Sequence, residues 1–211
     1  MILRLRREAA SDVDVVRDVI DAAFRSVPTT AGAEPAEVQL DLTQAGDQLD
    51  VHHVTVDQLV EDGLAVEATL ADSLRADPAV EPRLTLVAEA DGIVVGQVTA
   101  SRGALVSPTE APDLPVVGLG PVAVDPQFQG RGIGTALLHA VVGAADALDE
   151  PALVLLGDPA FYRRFGFEPA AAVGILAPDD GWGDSFQVRT LGAWLPTMVG
   201  RYRYAAPFDD L

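Results

Sequence analysis

The chain has 211 residues, 32 acidic against 14 basic, and a formal net charge of -18. Every basic residue is Arg, and neither Lys nor Cys occurs. Without Lys there is no Schiff-base chemistry, no Walker A phosphate lysine and no kinase-type strand lysine. Without Cys there is no thiolate nucleophile, disulfide or thiolate metal site. The acidity also argues against nucleic acid as a partner, because phosphate binding draws on a surplus of Lys and Arg. Two origins of the missing lysine stay open: the codon usage of a GC-rich genome, or a high-salt adaptation that keeps an acidic surface soluble.

A chain of this length can bury a sound core without staples. Met1 to Glu8 carries charges where a leader needs an apolar run, and nothing later reaches the roughly 18 apolar residues of a membrane span. A soluble, cytoplasmic protein with no membrane partner is expected. Ile2 to Arg6 alternates apolar and basic residues and predicts a first strand. Ser11 as N-cap, with Asp12 and Asp14 in the first turn, predicts a helix whose apolar stripe runs through Val15, Val16, Val19, Ile20, Ala23 and Phe24. Pro28 ends it. Residues 29–62, rich in Asp, Gln, Gly and Pro, read as an insertion, with Val51 to Val56 a short strand inside it. Leu64 to Arg75 predicts a second helix before Pro78.

Leu84 to Ala90 and Ile93 to Leu105 flank Asp91-Gly92, a type I′ hairpin signal. Val116 to Val124 is a further strand, interrupted by Gly118, Gly120 and Pro121. Proline cannot donate to a ladder, so this strand must bulge or lose a neighbour there. Gly132 to Leu148 predicts a third helix, and Ala152 to Leu156 a short buried strand. Phe161 to Phe165 reads as a short helix; Val173 to Ala177, Phe186 to Leu191 and Tyr202 to Ala205 read as closing strands. The sum is an α/β chain with a mixed sheet and helices packed on it.

The chemistry concentrates at Leu119-Gly-Pro-Val-Ala-Val-Asp-Pro-Gln-Phe-Gln-Gly-Arg-Gly-Ile-Gly-Thr135. A strand and a short turn lead to Gly130, Gly132 and Gly134 at the mouth of a helix. Glycines let the backbone approach a ligand with its N–H groups unshielded, and the helix dipole favours an anion at the same point. A dinucleotide fold wants its third glycine where Thr135 stands, and wants the glycines directly after the strand; this segment departs on both counts. The same glycines also read as plain turn residues.

Gln129-x-x-Gly132-x-Gly134 after a strand and Asp-Pro resembles the pyrophosphate-binding motif of the GNAT superfamily of N-acetyltransferases. Leu153-Val-Leu-Leu-Gly-Asp-Pro-Ala-Phe-Tyr-Arg-Arg-Phe-Gly-Phe-Glu-Pro169 is similar to the family's region after the fifth strand. Its Gly-Asp-Pro-x-Phe-Tyr-x-Arg-Phe-Gly-Phe form resembles one bacterial branch of predicted acetyltransferases. The resemblance implies a single GNAT domain over 1–211, with the insertion at about 29–62 and a C-terminal strand extension from about 178. It implies acetyl-CoA as co-substrate, lying between two splayed strands. Val122, Ala123 and Val124 would face the pantetheine arm, with the Val124 N–H polarising the thioester carbonyl. Gln129, Gly130, Arg131, Gly132, Ile133, Gly134 and Thr135 would cradle the pyrophosphate. Tyr162 is then the candidate general acid toward the departing thiolate; its other reading is a core residue with its hydroxyl bonded to backbone.

The activity implied is transfer of an acetyl group to a primary amine of a small molecule or peptide, direct because no Cys can carry it. The alternative is a non-catalytic acyl-CoA-binding sensor or interaction domain. Glu89, Glu110 and Asp113 compete as general base without a basis for choice. His52 and His53 have no third ligand nearby, so no metal is expected. His139 reads as a surface or partly buried residue, Phe165 and Phe167 as core, and Ser101 as lacking His and Asp partners. Trp182 and Trp194 read three ways: closing the sheet, lining the acceptor pocket, or contacting a second copy in a homodimer. The strong negative charge gives a weak preference for a cationic acceptor.

Overall fold

A computed structural model describes residues 1–25, 64–107 and 112–210. The expected insertion at 29–62, with its strand Val51 to Val56, His52 and His53, lies outside the described residues, as does Glu110. Among the described residues nine strands form one sheet: β1 (Leu3–Arg7), β2 (Leu86–Ala90), β3 (Ile93–Val106), β4 (Leu114–Val124), β5 (Ala152–Leu156), β6 (Glu168–Pro169), β7 (Ile175–Leu176), β8 (Phe186–Thr190) and β9 (Gly200–Arg203). Their order is β1-β2-β3-β4-β5-β8-β6, and β9 joins the far half of β3 and also pairs with β7. Among the described residues four α-helices accompany them: α1 (Val13–Arg25), α2 (Val66–Ala76), α3 (Ile133–Ala147) and the single turn α4 (Pro159–Tyr162).

The β2–β3 hairpin turns where Asp91-Gly92 predicts it. Both residues have positive φ, 49° and 89°, as a type I′ turn requires. The start of the first helix differs from expectation. Ser11 lies in a 3-10 turn over Ala10–Asp12, and α1 begins only at Val13. Asp12 does not sit in the first α-turn. Its carboxylate accepts the Ala9 N–H at 2.8 Å and a fork of bonds from Arg6, which hold it below the usual carboxylate range. The last expected helix begins earlier than Phe161, at Pro159, where Asp158 caps it through the Ala160 N–H at 2.8 Å.

Strand alternation sorts β4 and β5 into two faces. Val117, Leu119, Leu153 and Leu155 join the core beneath α3. Val116, Ala152 and Val154 join a second core with Phe186, Val188 and Tyr202. On this second face, α1 and α2 cover the other end of the sheet through Val16, Val19, Ile20, Ala68 and Ala71. Behind β3, Arg102 bridges the buried carboxylates of Glu81 and Glu150 at 2.5 and 2.6 Å. Glu81, also bonded by Arg83, is thereby held down at about 2. Among the described residues no helix is long and apolar enough to cross a membrane.

Candidate active site

The parallel ladder between β4 and β5 is brief. It links Val117 to Leu153 and Gly118 to Val154, and no later β4 residue pairs with β5. Beyond Gly118 the two strands part. The cause lies in β4 itself: its register to β3 shifts between Val98 and Ala100, opposite the Gly120-Pro121 step. The fully buried Gln97 side chain donates from Nε2 to the Pro121 carbonyl at 3.1 Å and accepts the Thr99 hydroxyl at 3.0 Å. The irregular strand is therefore fastened to β3 rather than to β5.

The Asp125 N–H donates to the Val95 carbonyl at 2.9 Å. By alternation Ala123 also turns its N–H and C=O toward β3, while the N–H groups of Val122 and Val124 point to the open edge. The Ala123 methyl packs on the α1 side, whereas Val122 and Val124 lean on the α3 core. Of the three β4 residues expected at the site, two thus present backbone donors to the gap and the third spaces them.

After β4, Asp125 accepts the Gln127 N–H at 2.8 Å, and Gln129 Nε2 ties back to the Val124 carbonyl at 3.0 Å. Gly130 and Gly132 then take left-handed φ of 72° and 80°, with open space where a Cβ would stand. Gly132 is the N-cap of α3 and offers no side-chain acceptor to the first turn. The leading N–H groups of an α-helix have no partner within it, so those around Ile133, Gly134 and Thr135 are left without a capping side chain, an arrangement that can receive an anion. Arg131 stacks over Phe128 at 5.3 Å. Arg131, Arg163, Arg164 and Arg189 have no carboxylate partner among the described residues, while Arg102, Arg201 and Arg203 do. Among the described residues, the arginines of the two motif segments and of β8 are thus without a carboxylate partner, as are Arg4 and Arg7 of β1.

Tyr162 ends α4 on the same face. Its ring meets Phe161 edge-on at 4.9 Å and Phe167 at 5.9 Å, and fills the space where Gly157 lacks a side chain. Its ring packs against the core beneath α3, as the core reading expects, but its hydroxyl makes no hydrogen bond among the described residues, so the backbone bond of that reading is not seen there. Burial pushes the phenol up to about 12, so it stays a proton donor at neutral pH.

Phe165 and Phe167 are buried in the core beneath α3. His139 is exposed, its ring edge-on to Phe165 at 5.2 Å. Ser101 is buried with its hydroxyl unbonded among the described residues. The two described base candidates are engaged elsewhere, Glu89 with Arg6 at 3.0 Å and Asp113 with Arg203 at 2.8 Å. Among the described residues no cluster of three His, Asp or Glu could hold a metal.

Comparison with known proteins agrees with this geometry. Residues 81–169 match the model of the acetyltransferase (GNAT) domain. The uncharacterized N-acetyltransferase YhbS of Escherichia coli K12 is 37% identical over 126 residues, 59% of this chain and 72% of that protein. The YhbS crystal structure in complex with CoA superposes with a TM-score of 0.70 at 27% identity, covering 98% of this chain and 92% of that one. A GNAT acetyltransferase from Brucella melitensis in complex with acetyl-CoA gives 0.65 at 28% identity, over 99% of both chains. A parted β4/β5 pair beside an uncapped, glycine-rich helix start, together with these likenesses, shows that the chain belongs to the GNAT family of N-acetyltransferases.

Proposed function

We propose that this acetyltransferase moves the acetyl group of acetyl-CoA directly to a primary amine, in the branch of the family marked by the Gly-Asp-Pro-x-Phe-Tyr-x-Arg-Phe-Gly-Phe segment, and that it works in the cytoplasm, where acetyl-CoA is spent. The observation that carries the reading is the gap opening after Gly118 and Val154, flanked by unshielded N–H groups on both β4 and α3. The pyrophosphate fits the cradle from Gly130 to Thr135, held by backbone N–H groups and by Arg131, with Gln129 fixing the loop to β4. The thioester arm fits along Val122 to Val124. As the amine nitrogen attacks the carbonyl carbon, negative charge grows on the carbonyl oxygen, and the Val124 N–H is placed to receive it. The C–S bond then breaks, the sulfur leaves with the bonding pair as a thiolate to which the Tyr162 hydroxyl donates a hydrogen bond, and the new amide nitrogen gives its surplus proton to water.

A phenol near 12 is a weaker acid than a thiol, so Tyr162 acts chiefly by hydrogen-bonding the departing thiolate, and its help is smaller than full proton transfer gives. Tyr162→Phe is expected to lower kcat about tenfold while the acetyl-CoA Kd, read by calorimetry, stays within about twofold. The sign of the pH effect follows from the raised phenol: the neutral form is active, and it is lost only as pH rises toward 12. An ordinary phenol would instead give a falling limb near 10. The kcat profile of the wild type between pH 8 and 10.5 should therefore show no descending limb due to Tyr162. An unchanged kcat in the phenylalanine variant overturns the assignment.

A further inference from the structure

On the face of the sheet opposite α3, a cavity of about 610 Å³ is lined by Leu156, Trp182, Tyr202, Tyr204, Phe208 and the exposed Asp209. Leu156 is the last residue of β5, and Tyr202 and Tyr204 press on Gly118, the last β4 residue paired with β5. The cavity thus begins where the two strands part, with the cofactor cradle on the other face. Its size and apolar lining suit one small organic molecule.

The lining also limits the charge of the occupant. Tyr204 stands edge-on to Trp182 at 6.2 Å and stacks with Phe208 at 4.3 Å, forming an aromatic wall of the kind that receives a cation. Burial pushes the Tyr204 phenol up, so it too remains neutral, and its hydroxyl has no hydrogen bond among the described residues. Arg201 and Arg203 also line the cavity, but Asp180 and Asp113 hold them at 2.8 Å each. Asp209 has no ion pair among the described residues. Asp209 is the one carboxylate among the described lining residues, and one carboxylate suits one ammonium. A second or third positive charge would meet apolar walls and arginines already paired, with no further lining carboxylate as counter-ion, and burying an unpaired charge is costly.

We infer that this cavity is the acceptor site and that it selects a monoamine with an apolar, aromatic body, drawn in as the ammonium by Asp209 and held by the aromatic wall. The inference rests on the acetyl-transfer reading above. The amine gives its proton to water before attacking through the gap.

The test uses 2-phenylethylamine as the probe and spermidine as the polycationic rival, with the full chain. Binding is read from tryptophan fluorescence and calorimetry without acetyl-CoA, and turnover from CoA release. The expected result is saturable binding of phenylethylamine and a kcat/KM at least tenfold above that of spermidine. Trp182→Ala and Phe208→Ala should raise the KM for phenylethylamine at least fivefold, with the acetyl-CoA Kd within twofold. Phe208→Leu, which keeps the bulk, should preserve folding and still weaken binding. The inference is overturned by absent phenylethylamine binding, by a preference for spermidine, or by KM values indifferent to all three substitutions. Failure of the transfer reading looks different: phenylethylamine binds, acetyl-CoA does not, and no CoA is released.

Discussion

Gly132 and Gly92 hold nearly the same left-handed backbone, φ 80° and 89°, and a Cβ on either would meet nothing within 4 Å. Gly92 serves a hairpin turn. Gly132 opens α3, where the empty space is the proposed approach of a pyrophosphate. A leucine at either position forces an L-residue into strained backbone at about 1–3 kcal/mol. Gly92→Leu and Gly132→Leu should therefore lower Tm by similar amounts, since neither meets a steric neighbour. Only Gly132→Leu should weaken acetyl-CoA binding, by about tenfold or more, a loss of at least roughly 1.4 kcal/mol. Equal affinities in the two variants, measured by calorimetry, would remove Gly132 from the cofactor site. The contrast also explains what sequence could tell at this scale. Asp91-Gly92 and Gly130 to Gly134 were legible because a turn and a helix start are coded by adjacent residues. The partners that surround the Tyr162 phenol, Gly157 and Phe167, are set by tertiary packing, so the sequence left its two readings open.

Among elements, β4 and β9 fit together through missing side chains. A Cβ on Gly118 would stand 2.7 Å from the Tyr202 hydroxyl and 3.3 Å from Tyr204, and one on Gly103 would overlap both the hydroxyl and the ring carbon of Tyr202. Gly118→Ala should then destabilise the protein by about 1–3 kcal/mol, as overpacking does. Tyr202→Phe removes the atom in the way, and the double variant should regain most of the loss in denaturant unfolding. Gly103→Ala should not be rescued, because the Arg203 carbonyl also stands in its path. A double-mutant cycle showing additivity at Gly118 and Tyr202 would refute this packing. The sequence shows Gly118 only as an interruption of a strand. The reason for that glycine is a tyrosine far downstream, and no local pattern carries such a pairing. The hairpin, α1 and α3 were legible from periodicity and turn chemistry. The position of β9 on the outer half of β3 was not, nor was the aromatic cavity, although the spacing of Tyr202, Tyr204 and Phe208 near the end of the chain is a signal that could have marked it.

At the scale of the whole molecule, the charge of -18 opposes the phosphates that the proposed cradle would receive. The two effects act over different distances. Many arginines are spent internally, as in the fork of Arg6 on Asp12 and the bridge of Arg102 between Glu81 and Glu150. Arg131, Arg163 and Arg164 carry no such partner among the described residues, so the positive field near α3 is local while the negative field is global. The Debye length is about 30 Å in 10 mM salt and about 8 Å at physiological ionic strength. In dilute buffer an approaching acetyl-CoA therefore feels the repulsion of the entire molecule. At 150 mM salt it feels mainly the cradle, whose N–H groups and arginines act at contact. The association rate constant of acetyl-CoA, measured by stopped flow, should rise between 10 and 150 mM NaCl, against the fall expected for electrostatically steered binding. Above about 0.5 M, where only some 3–5 Å of range remains, the local attraction is screened as well and affinity should weaken. Arg131→Gln should steepen the initial rise, because it leaves the repulsion and removes part of what opposes it. A rate that falls monotonically from the lowest salt would mean that the local arginines govern the encounter despite the acidity of the rest of the chain.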